Sequence, residues 1–306
     1  MQMKSYLDVL PEIQRALDQN EPVVAMESTI LSHGMPYPEN LAFAAEVEQV
    51  VRAEGAVPAT AALIGGRIKI GLSAAELEVM CRAENVDKVS RRDMATYLAT
   101  KKTGATTVSA TMICAAMAGI RVFATGGIGG VHRHGETTMD VSADLQELKQ
   151  TPVAVVCAGV KQILDIGRTL EYLETMGVPV IGNATTDFPA FYCRKSGYGV
   201  DYTAKDEAEI AAILKTKWEL GLSGGVLIGN PIPEEYAQDF DDMESVIGQA
   251  LAEADEKGVC GKDITPFLLA KVKELTHGMS LTANVQLAYN NARAAAKIAK
   301  ELCKIS

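Results

Sequence analysis

Lys161 and Glu27 are the two residues whose types and positions could carry covalent chemistry. Lys161 follows the apolar run VAVVCAG and opens KQILDIGRTLEYLETM, which reads as a helix from Lys161 to Met176. An ammonium at that helix start would face the positive end of the helix dipole among apolar neighbours. Both influences favour the neutral amine. A neutral amine can attack a sugar carbonyl and form a Schiff base. Glu27 ends the apolar run VVAM and is followed by Ser28 and Thr29. A carboxyl group at a buried strand end suits general acid or base work. The plainer roles are a solvated lysine at a helix start and a capping or ion-paired glutamate.

Other segments could hold a ligand. TGGIGGVHRHGETTMDVSADLQEL places four glycines ahead of His132, Arg133, His134, Glu136, Asp140 and Asp144. The glycines would let the backbone approach a ligand closely, but their spacing is not that of a dinucleotide loop. Hard carboxylate oxygens such as those of Asp140 and Asp144 suit Mg²⁺ or Mn²⁺. Ser142 offers the alternative of a helix cap, with Asp144 in the first turn. KVSRRD supplies Lys88, Arg91 and Arg92, while GATTVSAT supplies Thr106, Thr107 and Ser109 ahead of a helix. Together they read as a phosphate cradle. The carboxamides of Asn230 and Asn284 could pair with the edge of a pyrimidine.

The elements that must position these groups follow from pattern. Short apolar runs (VVAM, VDKVS, IRVFAT, VAVVC, GGVLIG) alternate with amphipathic stretches. The alternation predicts an α/β fold, a three-layer α/β/α arrangement with a central, mostly parallel sheet and helices on both faces. Ligands then bind beyond the carboxyl ends of the strands. Helices are expected over 7–18, 41–54, 242–257, 266–275 and 281–302. Two strands are expected around Gly65 and Gly66, and Ser73 with Glu76 forms a capping box. No linker divides the chain, so one domain over 1–306 is expected.

The net charge of −10, from 29 Lys and Arg against 39 Asp and Glu, disfavours a nucleic-acid partner. The six cysteines are widely spread and read as buried, reduced thiols. No apolar run reaches membrane-spanning length, and the N-terminus lacks the pattern of a leader. A soluble, cytoplasmic protein without membrane attachment is expected.

Taken jointly, VVAMESTILSHGMPYPEN, KVSRRD, GATTVSATM, FATGGIGGVHR, DVSADLQEL, VVCAGVKQILD, GGVLIGNPIP and SLTANVQLAYNNA resemble the pseudouridine-5′-phosphate glycosidase family, which is similar to indigoidine-synthase-A-type proteins. The matching strings run nearly end to end. The resemblance implies reversible cleavage of pseudouridine 5′-phosphate to uracil and ribose 5-phosphate. It makes Glu27 the proton donor, Lys161 the Schiff-base lysine and Asp140 the ligand of a Mn²⁺ cofactor. Lys88, Val108, Ser142, Ala143, Asp144 and Asn284 fall on substrate-binding positions. Thr106 and His132 are added as further substrate contacts, although the sequence leaves open whether His33, His132 and His134 touch substrate or buttress a loop. A homotrimer is implied as well.

The chemistry explains why such residues are needed. A base attached through carbon is a poor leaving group, so cleavage needs help at the sugar C1′: a lysine amine bonded there can push its lone pair into a C=N bond as the base departs, leaving an imine. Two rivals use the same residues: a Schiff-base aldolase acting on a sugar phosphate, and a non-catalytic sugar-phosphate sensor. Only the glycosidase consumes uracil together with ribose 5-phosphate.

Overall fold

A computed structural model describes residues 6–82, 86–259 and 264–306. Its strands are β1 (Leu7–Val9), β2 (Val23–Met26), β3 (Val57–Ile64), β4 (Arg67–Ile70), β5 (Asp87–Val89), β6 (Gly104–Thr106), β7 (Val122–Ala124), β8 (Ala154–Cys157), β9 (Val180–Asn183), β10 (Tyr202–Ala204) and β11 (Val226–Gly229). The helices are α1 (Pro11–Asp18), α2 (Thr29–His33), α3 (Glu39–Ala53), α4 (Ala74–Arg82), α5 (Arg91–Ala99), α6 (Val108–Ala118), α7 (Gly135–Thr138), α8 (Ala143–Gln150), α9 (Ile166–Thr175), α10 (Glu207–Glu219), α11 (Phe240–Glu256), α12 (Ile264–Leu275) and α13 (Met279–Ile305).

The main path of the sheet runs β1-β4-β3-β2-β7-β8-β11-β9-β10, with β5 and β6 joined beside β3. Pairing is parallel except where β3 meets β4 and β6. The central strands β2, β7, β8 and β11 are buried at every position, so they read as unbroken apolar runs rather than alternations. Helices cover both faces. Helix α6 packs on β2, β3 and β7 and against α8, whereas α13 packs on β2, β7 and β8 and against α3 and α10. The expected three-layer arrangement with a mostly parallel sheet is therefore what the chain adopts.

Register sets up the site. Ala25 pairs with Phe123 and Met26 with Ala124, which brings Glu27 and Thr125 side by side beyond the strand ends. Ala124 in turn pairs with Val156, so the chain leaving β8 toward Lys161 emerges beside them.

Two local expectations need correction. Residues 7–9 form an edge strand against β4, and the helix begins only at Pro11. The helix expected from Lys161 begins at Ile166, because the Asp165 carboxylate caps it by accepting the Arg168 N–H at 2.9 Å. Lys161 thus lies in the turn before α9, and the dipole argument does not apply to it. Asp140 lies outside α8, and Ser142 is the cap that the sequence offered, its hydroxyl accepting the Asp144 N–H at 3.2 Å. The expected Ser73–Glu76 capping box is present. Cys81, Cys114, Cys157 and Cys193 are buried free thiols and Cys303 is half-buried, while Cys260 lies outside the described residues. No helix among the described residues is long and apolar enough to cross a membrane.

Candidate active site

A cleft opens beyond the carboxyl ends of β2, β7 and β8, and Glu27, His33, Lys88 (from within β5), Lys161 and Asn284 all line it. These residues come from four separate stretches of the chain and meet in one place.

Glu27 is 8% exposed. Burial pushes its carboxyl above the ordinary value, opposed first by the charge of Lys161 and then by a hydrogen bond from the Thr125 hydroxyl. A second, small and largely apolar pocket adjoins it, walled by Met26, Ile30, Leu31, Phe43 and Val47. Apolar walls on this side disfavour the charged carboxylate, a setting that suits a proton donor.

Lys161 is half-buried. Its backbone N–H donates to Ile128 O at 3.1 Å, and Ile128 N–H donates to Gly159 O at 3.1 Å. This bridge between the loops after β7 and β8 fixes where the lysine starts. Gly159 must be glycine here: its φ is +87° and a Cβ would run into the Pro189 carbonyl.

The glycine run after β7 serves close packing within the protein. A Cβ on Gly129 would collide with Ser142 and Asp144. Asp144 is buried, and its two carboxylate oxygens accept the backbone N–H groups of Gly129 and Ser109, each at 2.9 Å. At Ser109, in the first turn of α6, a carboxylate from the protein itself occupies the place where the sequence suggested a phosphate.

The rest of the expected cradle divides. Lys88 reaches the cleft. Arg91 turns to Glu147, donating at 2.6 and 2.8 Å, and Arg92 is exposed beside Asp93. Thr106 is fully buried, its hydroxyl donating to Ala61 O at 2.8 Å and accepting from Thr111 at 2.9 Å. Val108 is buried at the start of α6, and Ala143 is exposed at the start of α8. Asn230 does not face the cleft wall named above, because its amide donates to Asn291 Oδ1 and its carbonyl accepts from Asn183, each at 3.0 Å.

His132 and Asp140 sit next to each other, with Nδ1 and Oδ2 3.8 Å apart. Burial holds His132 below its ordinary value, opposed by Asp140, while the charge of Lys161 adds to the lowering. Desolvation and the Lys88 charge lower His33 in the same way. Among the described residues no group of three His, Cys, Asp or Glu could enclose a metal ion. Asp140, with 44% of its side chain exposed, fits a hard cation that keeps most of its water and is held by one carboxylate.

Two residues that hold the site together escape a reading by sequence. Thr125 bonds Glu27, and Asn291 bonds the Thr125 and Gly126 carbonyls at 2.8 and 3.2 Å. A hydroxyl directly after a buried strand was a usable signal for the first. For the second, the signal was an asparagine on the alanine-rich face of α13.

The sequence profile of indigoidine synthase A like proteins matches residues 12–301. The chain is 60% identical to a pseudouridine-5′-phosphate glycosidase of Caldanaerobacter subterraneus subsp. tengcongensis over 99% of both chains. It is also 60% identical to the enzyme of that name in Hahella chejuensis, over 97% of this chain and 98% of the other. Among solved structures, a prealnumycin C-glycosynthase in complex with ribulose 5-phosphate superposes with a TM-score of 0.91 at 38% identity, over 98% of this chain and 97% of that one. An indigoidine synthase A-like protein from Thermotoga maritima gives 0.88 at 37%, over 97% and 96%. With its fold and nearly its whole length in common with these proteins, the chain belongs to the indigoidine synthase A like family.

Proposed function

We propose that the protein reversibly cleaves the C-glycosidic bond of pseudouridine 5′-phosphate, giving uracil and ribose 5-phosphate. The observation that carries this reading is the meeting of a buried, raised-pKa carboxyl at Glu27 with the Lys161 amine across one cleft. Relatives at 60% identity carry the name of that activity, and a structural neighbour binds a pentulose phosphate.

The sequence of events follows from the residues. Glu27 delivers a proton to O4′ as the furanose ring opens. Lys161 adds through Nζ to C1′, losing a proton. Protonation at uracil C5 then allows the C1′–C5 bond to break, and its electron pair leaves with the base. The imine between Lys161 and ribose 5-phosphate remains, and water hydrolyses it to release the sugar and restore the amine. Lys88 holds the phosphate end, and Asn284 lies along the cleft where the base must sit. Positioning of this kind can supply several kcal/mol of barrier reduction, and up to ~7–11 in well-oriented intramolecular reactions.

Mn²⁺ is the proposed cofactor, held at Asp140 with His132 beside it. When bound, a divalent ion there supplies charge stabilisation and orders water. Val108, Ser142, Ala143 and Asp144 border the substrate through the segments that open α6 and α8. The enzyme acts in the cytoplasm as a homotrimer, a state supported by the family resemblance and checked by sedimentation. Its net charge of −10 speaks against nucleic acid as substrate.

The test is to incubate uracil with ribose 5-phosphate, with and without Mn²⁺, and follow the pyrimidine absorbance in both directions. Consumption of uracil that depends on ribose 5-phosphate supports the reading. Consumption of the sugar phosphate without uracil would favour an aldolase instead.

A further inference from the structure

We propose that Asn291 is a positioning residue for the reaction: by holding the carbonyls of Thr125 and Gly126 it aims the hydroxyl that hydrogen-bonds Glu27. The inference rests on the reading of Glu27 as the proton donor.

Strand β7 ends at Ala124, and the next residues leave the sheet. Their carbonyls face the middle of α13, where Asn291 is fully buried. Its Nδ2 donates to Thr125 O at 2.8 Å and to Gly126 O at 3.2 Å. The amide cannot simply swing away. Its Oδ1 is held by Asn230 Nδ2 at 3.0 Å, and Asn230 Oδ1 is held by Asn183 Nδ2 at 3.0 Å. A relay of three carboxamides thus runs across the ends of β9 and β11 to the end of β7.

The two carbonyls it grips are critical ones. Thr125 bears the hydroxyl on Glu27. Gly126 O also accepts the Ala158 N–H at 2.9 Å, and two residues on, Ile128 receives the Lys161 N–H. Asn291 therefore sits behind both reacting side chains while touching neither. A buried amide with all of its bonds made resists any shift of the turn, because each lost bond strands a polar group. The charged or titratable groups that face Glu27 are Lys161, Asp144 and Lys88, with His33 along the same cleft. Asn291 donates to the Thr125 and Gly126 carbonyls, so its effect on the Glu27 carboxyl passes through the turn that carries the Thr125 hydroxyl.

The Thr125 hydroxyl stabilises the ionised form of Glu27. Its loss or misdirection should raise the pH at which Glu27 titrates. In substrate-free enzyme this can be followed by infrared titration of the protonated-carboxyl band that Glu27→Gln removes. Thr125→Val should shift the midpoint upward by about one pH unit. Asn291→Ala should shift it in the same direction, and the double variant should shift no further than Thr125→Val alone. Thr125→Ser, which keeps the hydroxyl, should retain the wild-type midpoint. In turnover, Asn291→Ala should lower kcat about tenfold while KM stays within about twofold. If Asn291→Ala does not fold, Asn230→Ala removes the support one step further back and should give a smaller shift of the same sign.

A wild-type midpoint in the Asn291 or, failing that, the Asn230 variant would overturn the proposal. Shifts that add in the double variant would overturn it as well. The infrared readout needs no substrate, so a failed proposal remains distinct from a wrong assignment of the reaction.

Discussion

Asp144 Oδ2 accepts the backbone N–H of Gly129 at 2.9 Å, tying the glycine-rich loop after β7 to the first turn of α8. The other oxygen of the same carboxylate takes the Ser109 N–H at the start of α6. One side chain thus ties together the glycine-rich loop and the first turns of α6 and α8. Asp144→Asn puts an amide NH₂ against one of these buried N–H groups. The expected cost is about 1–3 kcal/mol of stability. It should appear as a lower urea midpoint at an unchanged m value. An unchanged midpoint would show that the lock is not tight.

Glu27 sets a pH dependence whose sign is fixed. Its folded-state pKa lies above the ordinary value of 4.5, mainly through burial. The folded protein therefore binds the proton more tightly than the unfolded chain does. The stabilising contribution is complete below pH 4.5 and is lost as the pH rises toward the folded-state value. Glu27→Gln, which stays neutral, should gain stability relative to the wild type as the pH climbs through that window. Its turnover should fall by about 10²–10⁴. Parallel stability curves for the two proteins from acid to neutral pH would contradict the account.

Much of this was open to sequence reasoning, and what was not has a physical cause. Fully buried parallel strands announce themselves as apolar runs, so β2, β7, β8 and β11 could be named, and with them the end of the sheet where ligands bind. Caps are local, so Ser73 and Ser142 could be read as well. The start of α9 was misplaced because Ile163, Leu164 and Ile166 mimic helical spacing, although Asp165 was a legible cap. Gly159 hides its left-handed turn until the Pro189 carbonyl is seen beside it. Asn291 and Thr125 are 166 positions apart in the chain, and no local pattern joins a side chain to a carbonyl at that separation. The diversion of Arg91 to Glu147 is likewise a long-range choice, between a ligand and an internal partner.

Gly159 and Gly177 provide an internal comparison. Both have positive φ, +87° and +67°, but only at Gly159 would a Cβ meet a backbone carbonyl. Gly177→Ala should cost about 1–2 kcal/mol, for the left-handed conformation alone. Gly159→Ala should cost more, by about 1–3 kcal/mol of steric strain. It should also weaken the Ile128–Gly159 bond that precedes Lys161, so its turnover should drop while Gly177→Ala stays near normal. Equal melting temperatures for the two variants would refute the steric argument.

The nucleophilic role of Lys161 is tested most directly by borohydride trapping with ribose 5-phosphate, followed by peptide mass spectrometry. The account predicts one pentose phosphate adduct per chain, located at Lys161, and neither adduct nor turnover in Lys161→Ala. An adduct on another lysine, or near-normal turnover in the alanine variant, would contradict it.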